Sequence, residues 1–187
     1  MCRLRYMAAA IMLLVSCHAA RSGGFSVSVN LLGYAWLGTL NAEASYAFDR
    51  NWTVNAGAEY NPWTFNAADR SRQFQSRQQS YSAGVRYWPW HVYSGWWISG
   101  KAIYQEYNMG GIISRRTEEG DSAGAGFSAG YTHMLGKHFN IEFGAGFWTG
   151  VKWYTVYSCP SCGRTLDSGV KAFILPRDIS ISFSYVF

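Results

Sequence analysis

The chain has 187 residues, of which 49% are hydrophobic, 18% aromatic and only 14% charged, and its formal net charge is +5. This length suits one domain, but soluble domains carry about a quarter of charged residues, so the composition argues against an ordinary soluble fold. The positive charge is small and scattered, which argues against nucleic acid as a partner.

The first 20 residues predict a cleaved secretory signal peptide. Two arginines precede an apolar run over residues 8–15, and small residues follow over 16–20. The apolar run is too short to span a bilayer, and this order of segments is that of an export signal. We therefore divide the chain into a signal peptide, 1–20, and a barrel domain, 21–187. A lipobox-like motif that ends at Cys17 leaves lipidation of that cysteine open.

The remaining chain alternates between apolar and polar residues, and this period of two predicts β-strands. In the first strand, for example, Phe25, Val27 and Val29 alternate with serines. The predicted strands, in chain order, are 25–31, 40–48, 52–60, 80–88, 93–107, 122–133, 139–147 and 178–187. Eight is an even number, and most segments are close to the roughly 9–11 residues that a tilted barrel strand needs.

Connection lengths also alternate. Three turns are short, at 49–51, 89–92 and 135–137. Three links are long and polar, at 63–79, 108–121 and 152–172, while the first link, 33–38, breaks the trend. With both termini on one side, this pattern predicts periplasmic turns and extracellular loops.

Two features favour a membrane barrel over a soluble eight-stranded carrier, which would show the same period. The polar face consists mainly of Gly, Ser, Asn and Thr, which suits a lumen so narrow that side chains fill it. Aromatic residues gather at both strand ends, with Trp52 and Trp90 toward the short turns and Tyr60 and Trp63 toward the loops. The sequence therefore predicts an all-β fold: an eight-stranded antiparallel up-and-down transmembrane β-barrel in the bacterial outer membrane.

Six ionisable residues lie on the polar face of the predicted strands. They are Glu43, Glu59, Arg86, Lys101, Glu142 and Lys152. Three acids and three bases predict a neutralising network of ion pairs that fills the lumen. The alternative is the charged lining of a narrow small-solute channel.

Cys159 and Cys162 form a Cys-x-x-Cys pair in the last long loop. An exported protein meets oxidising conditions, so we expect either a small disulfide or free thiols. A structural zinc site would need two more ligands, and His133 and His138 are predicted at the opposite end of the barrel. The sequence predicts neither a metal nor a cofactor.

Several segments resemble the Bacteroidetes outer-membrane proteins grouped as a domain of unknown function, the DUF3575 family. The matching segments run in order through nearly the whole chain: Asn30-Leu-Leu32, Tyr60-Asn-Pro-Trp-Thr-Phe65, Arg86-Tyr-Trp88, Tyr107-Asn-Met-Gly-Gly111, Cys159-Pro-Ser-Cys-Gly163 and the C-terminal strand. Family members usually enter the last strand through Gly-Pro-Thr-Lys, whereas this chain has Leu175-Pro-Arg-Asp178. The resemblance implies an outer-membrane barrel of Bacteroidetes type and carries over no catalytic residues.

An enzyme that modifies lipid A or phospholipids is the alternative class of function. Such an enzyme would place a Ser–His pair near a membrane face. His133 and Ser128 have opposite strand parity, so they are predicted to point to opposite sides of the wall. His91 and Ser94 lie on a turn with no carboxylate nearby in sequence. We therefore predict no enzyme and no catalytic residues.

The favoured function is structural or interactive: a membrane anchor that presents loops to the exterior. The expected partners are outer-membrane lipid, lipopolysaccharide and a surface protein or fibre component. The basic segment 68–79 suits lipopolysaccharide phosphates, although a solvated loop is the favoured interpretation of it. Tyr185 and the terminal Phe187 resemble the aromatic signature that the barrel-assembly machinery recognises on its clients.

Overall fold

The computed structural model describes residues 24–66, 73–111, 116–159, 162–176 and 179–187. The predicted signal peptide, Cys17 and part of the basic segment lie outside these residues. The elements, in chain order, are β1 (Phe25–Asn30), α1 (Leu31–Ala35), β2 (Leu40–Ala47), β3 (Trp52–Asn61), β4 (Thr64–Phe65), β5 (Phe74–Tyr87), β6 (Gly95–Gly110), β7 (Thr117–Met134), β8 (Phe139–Cys159), β9 (Cys162–Pro176) and β10 (Ser180–Val186). Within the described residues, no helix is long and apolar enough to cross a membrane.

Eight of these strands close into a barrel. Their order is β1, β2, β3, β5, β6, β7, β8 and β10, and every neighbouring pair is antiparallel. β10 pairs with β1, with Ser26 opposite Val186, and with β8, with Phe139 opposite Tyr185. The predicted eight-stranded antiparallel barrel, closed by its last strand on its first, is confirmed.

Alternation along each strand separates two faces. In β3, Thr53 and Asn55 are buried in the lumen, whereas Val54 between them is 44% exposed on the outside. The same pattern leaves large apolar side chains exposed on the outer face of other strands: Tyr81, Val85, Ile98, Phe127, Phe143 and Phe147. The barrel is therefore polar inside and apolar outside.

Three strands are longer than the sequence predicts. β5 begins at Phe74 rather than at 80, β7 begins at Thr117 rather than at 122, and β8 continues to Cys159 rather than ending at 147. The long links at 63–79, 108–121 and 152–172 were therefore wrongly predicted as loops throughout. Polar residues occupy both faces of the β5 and β7 extensions, so the alternation disappears there although the backbone ladder continues. The β8 extension instead keeps apolar residues on its outer face, at Val151 and Trp153.

β9 occupies most of the third of those predicted loops. It pairs with β8 from Phe147 opposite Pro176 to Cys159 opposite Cys162, with register shifts around Tyr157. Since β10 also pairs with β8, the two strands follow the same edge of β8 one after the other. Among the described residues, no strand pairs with the other edge of β9.

Asn30 ends β1 one residue earlier than predicted and begins α1. Its side-chain oxygen accepts hydrogen bonds from the backbone N–H of Leu32 (3.1 Å) and of Ile181 (3.3 Å). Its own backbone N–H donates to the side chain of Asn41 (2.6 Å), which donates back to the Asn30 carbonyl (2.9 Å). One residue thus links β1, α1, β2 and the start of β10.

The contacts of Phe187 make it a sharp test of barrel closure. Its backbone N–H donates to Phe25 (2.9 Å), and its ring packs against Phe25 and Tyr185. We expect Phe187→Ala to lower the fraction of protein that reaches the folded form in cells, measured by the heat-modifiable shift in gel mobility. Phe127→Ala is the matched control, because it removes a similarly exposed aromatic ring away from the closing strands. Equal folded fractions for the two variants would contradict a special role for the terminal ring.

Candidate functional site

Aromatic side chains fill the lumen at the short-turn end. Trp88, Tyr93 and Trp97 are almost completely buried and pack together with Ala47. The Trp88 ring centroid lies 5.9 Å from that of Tyr93 and 6.4 Å from that of Trp97. Trp97 fits because a Cβ atom on Gly130 would lie only 2.4 Å from its ring. We call Trp88, Tyr93 and Trp97 the aromatic plug.

Arg86 lies directly against the aromatic plug and joins two acids from distant parts of the chain. Its guanidinium donates to Glu43 (2.8 Å) and to Glu142 (2.9 Å), and all three residues lie on the lumen face. The guanidinium carbon lies 4.2 Å from the ring centroid of Trp97 and 5.6 Å from that of Trp88. A planar, permanently charged guanidinium suits this position because it can bind two carboxylates and stack on a ring at once. We call Arg86, Glu43 and Glu142 the Arg86 triad.

Five of the six predicted lumen residues line one cavity of about 120 Å³: Glu43, Glu59, Arg86, Lys101 and Glu142. Within this cavity, Glu59 accepts a hydrogen bond from the Ser80 hydroxyl (3.2 Å). Lys152 is not among them, because it lies further outward and pairs with Glu118. The structure thus separates Lys152 from Glu43, Arg86, Lys101 and Glu142, whereas Glu59 lines the cavities at both levels.

Glu118 was missed in the sequence because it falls in a segment predicted as a loop. It accepts hydrogen bonds from Lys152 and from the Tyr107 hydroxyl (2.6 Å). Burial alone would raise the pKa of the Glu118 carboxyl, but these bonds and the charges of Lys152 and Lys171 outweigh it and lower the pKa below its ordinary value. No apolar alternation marks residues 117–121, so the side-chain pattern offers no signal that would have placed Glu118 on a strand.

Cys159 is disulfide-bonded, and the backbone of Cys162 lies opposite it between β8 and β9. His133 and His138 lie at the other end of β8, near the short turn before it. Among the described residues, no group of three His, Cys, Asp and Glu side chains is placed to hold a metal ion.

In neither candidate Ser–His pair does a hydrogen bond join the two side chains in the described structure. Ser128 lines the lumen cavity, whereas His133 is exposed near the end of β7. His91 and Ser94 share a cavity at the short-turn end with Asp49. The sequence did not indicate this carboxylate as a neighbour, because it is distant from both residues along the chain. The Nδ1 atom of His91 lies 2.9 Å from the Val92 carbonyl oxygen, and no hydrogen bond joins its ring to Ser94 or Asp49 in the described structure.

These features define a class of protein: a small closed β-barrel, apolar outside, whose polar lumen is filled by an ion-paired arginine and aromatic rings. The profile of the family described as a protein of unknown function, DUF3575, matches residues 7–187, and the chain belongs to this family. The resemblance seen in the sequence is therefore confirmed, while the Bacteroidetes origin stays a prediction. No curated protein and no solved structure matches the chain.

The Arg86 triad makes a strong prediction about stability. In Arg86→Met, the buried Glu142 and the partly buried Glu43 lose their common partner, so we expect a loss of about 3–5 kcal/mol in the free energy of unfolding. The triple variant Arg86→Met, Glu43→Gln, Glu142→Gln removes all three charges and should recover most of that loss. Both are measured by urea unfolding of the protein in lipid vesicles. Equal losses in the two variants would mean that charge pairing is not the cause.

Glu118 gives a prediction about pH. Because its pKa is lowered on folding, its contribution to stability is present above its ordinary pKa of 4.5 and is lost as the pH falls through the lower, folded value. In an NMR titration of its carboxyl carbon, Glu118 should titrate below 4.5. Lys152→Met should raise the midpoint, because the hydrogen bond and charge of Lys152 then no longer offset the effect of burial on the pKa. Lys171→Met is the control and should raise it less, since Lys171 acts through charge alone. An unchanged midpoint in Lys152→Met would rule out the pair.

Proposed function

We propose that this protein is an outer-membrane β-barrel of structural or interaction type, which anchors an outward extension of strands at the cell surface. The observation that carries the proposal is the apolar outer face around a filled polar lumen. A soluble carrier would place its apolar residues inside and its polar residues outside. The arrangement here is the reverse.

The outer face has the height and the borders expected of a membrane belt. On β6 it runs from Trp96 to Tyr104, and the next outward residue is the charged Glu106. Nine tilted strand residues rise about 20–25 Å, close to the apolar band of outer-membrane barrels. At the short-turn border, the paired rings of Trp52 with Tyr87 and Trp96 with Tyr131 suit an interfacial aromatic girdle.

The filled lumen favours an anchor over a channel. The Arg86 triad and the aromatic plug occupy the lumen toward the short-turn end, and an eight-stranded barrel has little interior left beyond its own side chains. The proposal accordingly includes neither ion conduction nor an enzymatic activity.

The outward extensions of β5 to β9 suit the interaction role. Beyond the belt, their outward side chains include the charged or polar Arg77, Asp121 and Ser168. Exposed apolar side chains lie among them, as at Trp153 and Val170. β9 is exposed along almost its whole length. We infer that these strands face the exterior, where a surface protein or fibre component would meet them, and that outer-membrane lipid and lipopolysaccharide surround the belt.

Export and insertion complete the proposal. The segment 1–20 directs secretion and is removed, and the barrel-assembly machinery recognises the C-terminal strand through Tyr185 and Phe187. Both aromatic residues lie beside Phe25 or Phe139 at the closing strands, where assembly must finish.

Cysteine labelling of intact cells tests location and orientation together. Ser168→Cys introduces a thiol on exposed β9, and Gly136→Cys introduces one on a short turn where a Cβ atom meets nothing within 4 Å. With a membrane-impermeant maleimide, we expect Ser168→Cys to react in intact cells and Gly136→Cys to react only after the outer membrane is permeabilised. The wild-type chain gives the background.

Three results would contradict the proposal in different ways. Labelling of Gly136→Cys but not Ser168→Cys in intact cells would reverse the orientation. Recovery of folded protein in the soluble periplasmic fraction would exclude the membrane location. Stepwise conductance of the wild-type protein in planar bilayers would replace the anchor with a channel.

A further inference from the structure

A cavity of about 630 Å³ lies at the outward end of the lumen, above the Arg86 triad. We call it the mouth cavity and define it by Leu32, Trp36, Tyr107, Lys152, Phe173 and Leu175, which line it with their neighbours. Its volume lies within the range of about 300–1,000 Å³ that is usual for small-molecule sites. The proposed anchoring role does not account for the mouth cavity.

Among the described residues, the strand ladder of the barrel wall is interrupted beside the mouth cavity. β1 and β10 pair only as far as Asn30 opposite Ser182, and α1 follows where that ladder stops. Further out, β9 continues along β8, and no strand among the described residues pairs with its other edge. α1 and β9 therefore face each other across the cavity with no strand ladder between them. We call this break in the described strand ladder, at the outward border of the apolar belt, the side entrance.

The belt reaches this entrance. Ile174 lies on the outer face of β9, opposite Thr149 of β8, and is 68% exposed. Ile179, just before β10, is 60% exposed and also lines the mouth cavity. Apolar side chains thus continue from the outer surface into the cavity, which suits the passage of an aliphatic chain from the lipid.

Apolar and polar side chains occupy different sides of the mouth cavity. The side made by α1 and β9 is chiefly apolar and carries Leu32, Trp36, Phe173, Leu175 and Pro176. Leu175 pairs with the buried Trp148 on the lumen side of the wall, yet it is 50% exposed, so the cavity leaves space around it. The opposite side, made by β5 to β7, is chiefly polar and carries Gln78, Gln105, Tyr107, Glu118 and Ser122.

The polar side offers hydrogen-bond donors. Lys152 donates to Glu118 and has two further N–H groups. Gln105 donates to the side-chain oxygen of Gln78 (3.0 Å), and the side chain of Gln78, which also lines the cavity, carries an amide nitrogen that can donate. Oxygen acceptors on a ligand would satisfy both groups.

The Arg86 triad and Trp97 lie below, so a ligand that enters from the side stays at the mouth. We propose that the mouth cavity binds a single-chain amphiphile with an ester or carboxyl end. Its aliphatic chain lies between α1 and β9, and its oxygen atoms meet Lys152 and Gln78. The proposal goes beyond the anchoring role and depends on the membrane location only for the route of entry.

Photo-crosslinking in lipid nanodiscs tests the site. The protein is embedded in phosphatidylcholine nanodiscs with a monoacylglycerol that carries a diazirine near the end of its chain, irradiated, and mapped by peptide mass spectrometry. We expect adducts on Trp36, Phe173 and Leu175. Excess unlabelled monopalmitoylglycerol should reduce these adducts but leave belt adducts, such as those on Phe127, unchanged. A parallel competition with palmitate shows whether the ester or the carboxylate is preferred.

Two neighbouring residues of β9 provide a matched pair of variants. Leu175→Trp fills the mouth cavity and should lower the yield of cavity adducts about tenfold, equivalent to about 1.4 kcal/mol of binding free energy. Ile174→Trp places the same ring on the outer face and should leave the yield within about twofold. Heat-modifiable mobility verifies that each variant is folded. Met109→Trp fills the cavity from the opposite wall and replaces Leu175→Trp if that variant does not fold.

Adducts confined to outward residues such as Phe127 and Ile174 would overturn the proposal. So would cavity adducts that resist both competitors, or a folded cavity-filling variant that labels like the wild type. Loss of cavity adducts in the filled variant, with retention in Ile174→Trp, would support it.

Discussion

The pairing of backbone groups between the first and last strands governs the rest of this structure. The proposed membrane location requires a closed sheet, because lipid offers no hydrogen-bond partner to an unpaired edge. β10 meets this requirement by pairing with both β1 and β8. Closure with eight strands makes the lumen narrow, and a narrow lumen admits either small residues or a few large ones that fit closely. The glycines and serines of the inner face, the aromatic plug and the Arg86 triad all follow from that limit.

The sequence predicted the barrel well where one face of a strand is apolar. Alternation around Val54 or Ile98 identifies the strand, the outward face and the direction of the neighbour. The prediction failed chiefly where both faces are polar. Thr117 to Asp121 and the first half of β9 continue the ladder, yet nothing in their side-chain pattern distinguishes a strand from a loop. Those segments are strands because the neighbouring strand already presents unpaired backbone groups, which is a tertiary effect.

The lumen residues show a similar division. The alternation of inward and outward positions was enough to place Glu43, Arg86 and Glu142 in the lumen. Which acid pairs with the arginine depends on the stagger between strands, and the sequence pattern does not determine that stagger. Trp88 and Trp97 share the parity of lumen residues, but parity alone does not show that their rings would fit inside so narrow a barrel. The pairing of Lys152 with Glu118 could not be predicted once Glu118 had been assigned to a loop.

Asn30 has a consequence for the order of folding. It joins Ile181 across a sequence separation of 151 residues, at the top of the seam between the first and last strands. Contacts this distant in sequence carry a large loop-closure entropy and are expected to form late, after the hairpins of the wall. Because its side chain also caps α1 and its backbone pairs with Asn41, Asn30 is held in place before β10 arrives. The side-chain oxygen of Asn30 is therefore already oriented as an acceptor when the last strand docks. The newly made chain needs only to bring the Ile181 N–H to it.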